Sequence, residues 1–126
     1  ASLLRANQLD LIFLIAPTTT DERIQQIAGL ATGYVYYVSL RGVTGAAHLD
    51  LDEVQARLAK VREKTDLPIG VGFGIRDGAT ARAIGQVADA VIIGSRVIQE
   101  IESAPKDALR AVEQLLRGIR GAMDAA

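Results

Sequence analysis

The stretch that decides the fold is Pro-Ile-Gly-Val-Gly-Phe-Gly-Ile at residues 68–75, a run that contains only apolar residues and glycine. Three further runs have the same character: Leu11–Ala16, Tyr34–Ser39 and Ala90–Ile93. Strands that are buried on both faces have such continuous apolar sequences, because helices cover one face and further strands cover the other. The chain is therefore predicted to form four β-strands, the third of them at Pro68–Phe73.

Helical patterns follow each predicted strand. The first helix is expected to begin at Thr19–Glu22, which has capping-box spacing, the second near Asp50 and the third near Asp77. Ser95–Ser103 form a short segment after the last strand, and Pro105 is expected in the first turn of a final helix. The apolar stripe of that final helix is Leu109, Val112, Leu116 and Ile119. Strict strand–helix alternation predicts a parallel sheet with right-handed crossovers.

The fold class is thus α/β, with parallel βα repeats in one domain, residues 1–126, that contains no linker. A complete (β/α)8 barrel usually needs about 250 residues, and this chain has 126. Periodicity leaves two architectures open: an open doubly wound sheet, or four strands forming half of a TIM barrel. Residues 1–5 resemble the tail of a helix, with Leu3 and Leu4 on its buried side, which suggests that other structure precedes it.

Composition limits the class of function. The net charge is −1, which does not favour a nucleic-acid or anionic-membrane partner. Cysteine is absent, which excludes disulfides, zinc thiolates and thiol nucleophiles. No apolar run approaches the roughly 18 residues needed to span a bilayer. We expect a cytoplasmic protein with no cofactor and no metal site.

Glycine marks three of the four predicted strand ends where ligands bind in parallel α/β folds. These are the loop Gly42–Gly45, then Gly74, then Gly94 with Ser95. Glycine allows backbone amides to approach a ligand closely, and helix-start amides carry a partial positive charge. Each could instead have a local role: Gly42 and Gly45 could shape a tight turn, Gly74 could join a strand to a helix, and Gly94 with Ser95 could cap the short helix that follows. Because all three fall at one end of the sheet, together they predict a phosphate site.

Acidic residues suited to proton transfer are not found at the strand ends. Asp10 and Asp89 precede strands and are expected at the opposite end of the sheet. Other acids fit helix starts, where a carboxylate satisfies free amides or the dipole: Asp21, Asp50, Asp52, Glu53 and Asp77. His48 is interpreted as a solvated loop residue, whereas Arg41 could either place charge near an anion or be an exposed loop arginine. The sequence therefore predicts no catalytic residue.

Four ordered motifs resemble one known family, the tryptophan synthase α subunits. Leu11–Thr18, with its Ala-Pro-Thr exit, resembles their fifth strand. Tyr34–Ser39 followed by Gly42–Gly45 resembles the sixth strand and the loop after it. Val71–Ile75 and Ala90–Ser95 resemble the ends of the seventh and eighth strands. The resemblance covers nearly the whole chain and identifies it with the C-terminal half of that family.

The resemblance implies an eight-stranded barrel that cleaves indole-3-glycerol phosphate to indole and glyceraldehyde 3-phosphate, together with a β subunit. It further implies that the catalytic carboxylates belong to the second strand and its loop, outside this chain. The phosphate ligands implied are Gly45, Gly74, Gly94 and Ser95. The implied pocket and closing loop comprise Tyr36, Thr44, Gly72 and Phe73. The expected partners are the missing N-terminal half-barrel or a second copy of the chain.

Two other interpretations stay open. One is another phosphate-binding barrel of amino-acid or cofactor biosynthesis, although the Gly42–Gly45 loop after a tyrosine-rich strand argues against it. The other is a non-catalytic half-barrel module that binds phosphate or self-assembles without turnover.

Overall fold

The structure is a computed structural model and describes residues 2–38, 51–72 and 74–125. Helices and strands alternate through this part of the chain. The strands are β1 (Phe13–Ile15), β2 (Val35–Val38), β3 (Ile69–Gly72) and β4 (Ala90–Ile92). The helices are α1 (Ser2–Ala6), α2 (Asp21–Leu30), α3 (Leu51–Arg62), α4 (Gly78–Gly85), α5 (Ser95–Ser103) and α6 (Ala108–Asp124). None of these helices is long and apolar enough to cross a lipid bilayer.

The four strands form one parallel sheet in the order β1-β2-β3-β4. This confirms the predicted parallel βα series, with each strand one to three residues shorter than its apolar run. Sequential order without a reversal is the arrangement of a barrel, whereas a doubly wound sheet changes direction at a switch point. The sheet is accordingly half of a (β/α)8 barrel.

The hydrophobic core lies between the sheet and the helices on its outer face. Val35 is aligned with Ile69, and Tyr37 with Val71, and all four side chains are buried. Successive strand residues point to opposite faces, so this alternation identifies the outward set. The helices close the core with Ile24, Ile27, Val54, Leu58, Val61, Ala81, Ile84 and Ile119.

The inner face of the sheet is filled in its middle by tyrosine packed on glycine. Tyr36 is aligned with Gly70, and its ring folds over Gly72, where a side chain on the glycine would overlap the tyrosine hydroxyl. Tyr34 and Ile92 cover Gly70 in the same way, with Ile92 Cδ1 only 2.9 Å from where a Cβ would lie. The two glycines therefore provide space that neighbouring strands fill.

Asp89 joins the N-terminal ends of two strands, as its position before β4 predicts. Its Oδ2 accepts a hydrogen bond of 2.8 Å from the buried Ile69 amide and one of 3.0 Å from Arg62 Nη1. The Ile69 amide, and after it the Arg62 guanidinium, hold the pKa of Asp89 below its ordinary value. Asp89 is thus a structural carboxylate at the end of the sheet opposite to the glycine turns.

Replacing Asp89 tests this assignment. Asp89→Ala is expected to destabilise the fold by about 1–3 kcal/mol, because the Ile69 amide loses its acceptor in the buried interior. Asp89→Asn keeps an acceptor and should cost less, since the Arg62 pair is half-exposed and contributes little. A carboxyl whose folded pKa is lowered stabilises above its unfolded value of about 3.9 and loses that effect below it. In urea unfolding, the difference between wild type and Asp89→Asn should therefore shrink below about pH 3.9; a constant difference would contradict the assignment.

Two helix starts differ from the sequence prediction. In α2 the N-cap is Thr20, whose side chain accepts from the Arg23 amide, while Thr19 Oγ1 accepts from the Ala16 amide at 2.9 Å. The predicted capping box at Thr19 is therefore wrong, because that hydroxyl stabilises the turn after β1. In α6 the N-cap is Asp107, so Pro105 lies before the helix and not in its first turn.

The apolar stripe predicted for α6 is only partly correct. Ile119 is buried and Val112 is half-buried, but Leu109 is 91% exposed and Leu116 is 44% exposed. The neighbouring Leu115 packs against the core instead. The expectation that Leu3 lies on a buried side is also wrong, since Leu3 is exposed in α1. The observed helix faces are thus rotated relative to the predicted stripes.

Candidate functional site

The predicted site lies at the C-terminal edge of the sheet, and the structure describes part of it. Gly72 and Ile92 are aligned at the ends of β3 and β4, and Gly74 and Gly94 each follow two residues later. The two glycines therefore leave neighbouring strands at the same edge. Gly45, Thr44 and Phe73 lie outside the described residues, so their predicted roles stay predictions.

The start of α5 presents free amides at this edge. Gly94 is the N-cap residue, with φ −113° and ψ −74°, and no side chain caps the helix there. The Gly94 carbonyl accepts from the Val97 amide at 2.9 Å and from the Ile98 amide at 3.1 Å. The amides of Ser95 and Arg96 precede the first intrahelical bond and so have no helical acceptor. Their partial positive charge suits an anion.

Gly74 and Gly94 face open space. Among the described residues, a Cβ built on either glycine meets no atom within 4 Å, in contrast to Gly70 and Gly72 in β3. Positive φ is not the reason for either residue, since among the described glycines it occurs at Gly33 alone. Glycine at these two positions would allow the backbone to approach a ligand closely.

Tyr36 and Gly72 lie on the inner face, below this edge. Tyr36 is half-buried, and its ring rests on Gly72, with Cε2 and Cζ each 2.5 Å from the point that a methyl group on the glycine would occupy. Leu14, aligned with Tyr36 in the neighbouring strand, is 61% exposed on the same face. The inner face near Tyr36 is thus apolar and open towards β1, which would suit a flat aromatic group.

Asp77, one of the carboxylates at this edge, has a structural role. The loop after β3 contains Asp77, whose Oδ1 accepts from the Thr80 amide at 2.8 Å as the N-cap of α4. That amide is the main reason why the pKa of Asp77 is lowered. The helix-start role predicted for Asp77 is confirmed. Among residues 2–38, 51–72 and 74–125, no group of His, Cys, Asp and Glu is arranged to hold a metal ion.

Arg57 connects α3 to the turn after β1, a contact that the sequence pattern did not predict. Its Nη2 donates to the Thr19 carbonyl, and its Nη1 lies 3.8 Å from Asp21 Oδ1. Its Nε is buried and has no hydrogen-bond partner among the residues that the structure describes. Burial raises the pKa of the nearby Tyr37 hydroxyl, against the lowering effect of the Arg57 charge. This contact could not be predicted from the sequence, because an arginine within a helical pattern usually extends its side chain into solvent.

Comparison with protein families gives one match along the full length. The family described as tryptophan synthase alpha chain matches residues 1–126. The tryptophan synthase alpha chain of Cupriavidus metallidurans is 58% identical over 126 residues, covering 99% of this chain and 48% of the relative. That of Polaromonas naphthalenivorans is 59% identical over 122 residues, covering 96% and 45%. The chain spans about half the length of the curated relatives it matches.

Solved structures agree with these matches. The tryptophan synthase subunit alpha of Legionella pneumophila superposes with a TM-score of 0.83 at 37% identity, over 98% of this chain and 45% of that one. A structure of Mycobacterium tuberculosis tryptophan synthase gives a TM-score of 0.83 at 31% identity, over 99% and 46%.

Proposed function

Because the chain belongs to the tryptophan synthase α-chain family, a family of tryptophan biosynthesis, we propose that it is the phosphate-binding half of the barrel. In this role it forms a single half-barrel domain that holds the phosphate of indole-3-glycerol phosphate. Cleavage of that substrate to indole and glyceraldehyde 3-phosphate then requires the remaining strands. The whole lyase works in the cytoplasm with a tryptophan synthase β subunit as partner.

The observation that carries this proposal is the open space at Gly74 and Gly94. In the described part of the chain no atom lies within 4 Å of a Cβ built on either glycine, and the two glycines lie at adjacent strand ends beside the uncapped start of α5. A phosphate would accept hydrogen bonds from the amides there, and Ser95 adds a hydroxyl donor. By family position, Gly45 is the fourth phosphate ligand.

The rest of the substrate would lie over the inner face. Tyr36 and Gly72 form the described part of that surface, and the Tyr36 ring offers area for an indole to bury and stack against. By family position Phe73 lies against the indole, and Thr44 belongs to the segment that closes over it. Closure would exclude water from the reacting centre.

Catalysis by this half alone is not supported by its chemistry. At the C-terminal edge of the described strands, the acidic side chains lie in the first turns of helices or cap them: Asp21 and Glu22 begin α2, Asp52 and Glu53 begin α3, and Asp77 caps α4. The edge strands of the sheet are β1 and β4, and each of them pairs with one described strand. Such edges bind another chain, so association is part of the proposed role.

A titration of the chain with inorganic phosphate and with indole-3-glycerol phosphate tests the site. Gly74→Ala and Gly94→Ala are expected to weaken binding of both ligands at least about tenfold, a loss of about 1.4 kcal/mol. The cause is a methyl group where the phosphate approaches. The melting temperature should hardly change, because the added methyl groups meet no protein atom. Calorimetry and thermal unfolding measure the two effects separately.

Gly29→Ala is the matched control, since Gly29 also faces open space but lies within α2, away from this edge. It should leave phosphate binding unchanged. Binding of neither ligand to the unaltered chain would defeat the site assignment. Phosphate binding without turnover would favour a non-catalytic binding module, and turnover would show that this chain contains catalytic groups.

A further inference from the structure

The start of α5 differs in charge from the starts of the other helices that follow a strand. A helix start carries a partial positive charge, so acidic side chains stabilise it and cations destabilise it. Acidic residues begin α2 and α3, and an aspartate caps α4. The first turn of α5 contains no acidic residue, and its second residue is Arg96. Among these four helices, α5 is thus the one that begins with a cation and has no acidic residue to offset it.

Arg96 is paired with Glu100, which lies one turn further along α5. Its Nη1 donates a hydrogen bond to Glu100 Oε2, and both side chains are half-buried, at 30% and 25% exposure. The order of the charges is the less favourable one for residues four apart, because the anion follows the cation and both oppose the helix dipole. The stability of α5 therefore does not explain the pair, and a local rule broken in this way is typical of a functional position.

The Arg96 guanidinium lies close to the start of α5. Side chains of a helix lean towards its N-terminus, so those of Arg96 and Glu100 both lie over the turn that precedes them. An arginine has five N–H donors, and within the described ranges the Arg96 side chain bonds to Glu100 alone. Arg96 therefore keeps donors for a ligand bound at the first amides of the helix.

We propose that Arg96 raises the affinity of the α5 start for doubly charged phosphates and that Glu100 limits this effect by neutralising part of its charge. The inference rests on the proposed function, because the anion is the phosphate held at Gly74 and Gly94. It adds an electrostatic determinant that is separate from the backbone amides. Such a balance gives a site that attracts a doubly charged phosphate and still releases it.

Coulomb's law gives the size and the selectivity of the effect. A guanidinium about 6 Å from a doubly charged phosphate changes its affinity about tenfold at the dielectric constant of water and low ionic strength. A singly charged anion in the same place gains only about threefold, since the interaction energy is proportional to the charge of the ligand. Arg96 therefore favours a phosphate monoester or inorganic phosphate over a phosphate diester or a carboxylate.

Calorimetric titration with inorganic phosphate at about pH 8, where the ligand carries close to two charges, tests the proposal. Arg96→Gln is expected to weaken binding about tenfold, and Glu100→Gln to strengthen it about threefold, because Glu100 then no longer neutralises Arg96. In the double variant, the gain from removing Glu100 should be smaller than in the unaltered chain. Raising the ionic strength from about 0.01 M to about 1 M shortens the Debye length from about 30 Å to about 3 Å, so both effects should nearly vanish.

The matched control is a pair of the same residue types in α6. Arg117 Nη2 lies 2.8 Å from Glu113 Oε1, and these residues are also four apart. Arg117→Gln and Glu113→Gln make the same charge changes on an exposed face of α6 and should leave the phosphate affinity unchanged. Thermal unfolding is the second measurement, and Arg96→Gln should not lower the melting temperature, because it removes a cation from a helix start.

The two α5 variants distinguish an electrostatic role from a structural one. If the pair only stabilised α5, Arg96→Gln and Glu100→Gln would both weaken binding and lower the melting temperature, and that result would overturn the proposal. An effect of Arg96→Gln that persists at high ionic strength, or that Arg117→Gln matches, would also overturn it. If Gly94→Ala weakens phosphate binding and Arg96→Gln does not, this inference fails while the proposed function stands. Absence of phosphate binding to the unaltered chain would defeat both.

Discussion

The isolated chain is expected to release indole from indole-3-glycerol phosphate at least about 10²-fold, and up to about 10⁴-fold, more slowly than a full-length family member. That range is what positioned proton transfer typically contributes, and Asp77, one of the carboxylates at the described edge, is engaged with the Thr80 amide. Loss of half the pocket adds to the deficit, because the substrate is less well oriented. Indole release can be followed by absorbance at saturating substrate.

The comparison needs a control for folding and binding. Gly29→Ala should behave like the unaltered chain, whereas mixing the chain with a separately produced N-terminal half of a family member should raise the rate. A rate for the chain alone within tenfold of a full-length member would mean that the carboxylates inferred to be elsewhere are not needed. In that case Asp77→Asn would become the first variant to assay.

Gly72→Ala is expected to destabilise the chain by about 1–3 kcal/mol, the usual cost of overpacking a filled interior. The new methyl group would overlap the Tyr36 hydroxyl, with Cε2 and Cζ of the ring 2.5 Å away. The ring can move only by giving up its packing on the glycine. Urea unfolding of the variant measures the cost.

The same substitution in a Tyr36→Ala background should cost much less, because the group it collides with is gone. The difference between the two costs is the coupling energy of the pair. Gly74→Ala, two residues further along, is the control and should be close to neutral, since nothing lies within 4 Å of its added methyl. Equal costs of Gly72→Ala in both backgrounds would show that Tyr36 does not occupy this space.

The sheet could be predicted from sequence because its signals are local. Each strand is a nearly continuous apolar run. The positions of the two aspartates also indicate their roles, since Asp89 precedes β4 and binds the amide that begins β3, and Asp77 precedes α4 and caps it. The capping of α2 was misassigned because Thr19 and Thr20 are adjacent hydroxyls with the same potential. Which of them caps the helix depends on the turn after β1, where Thr19 binds the Ala16 amide.

Helix faces were harder to predict because apolar residues are not all directed at the chain's own core. Leu109 and Leu115 are both leucines of α6, but only Leu115 packs against the core residues. Contact with α4 through Gly118 and Ala122 fixes the rotation of the helix, and no pattern within α6 reveals it. For the candidate site, the sequence predicted Gly74 and Gly94 at adjacent strand ends, and the structure places them there without positive φ, while their role as phosphate ligands stays a prediction.

Because no described atom lies within 4 Å of a Cβ built on Gly74 or Gly94, selection for stability and selection for ligand binding should act differently on these two positions. A library screened for abundance or heat resistance should accept many small residues at these two positions, while it rejects nearly all at Gly72. A library screened for binding of inorganic phosphate should reject them at all three. Positions at which the two screens disagree would outline the ligand's footprint on the barrel edge without any bound ligand being seen.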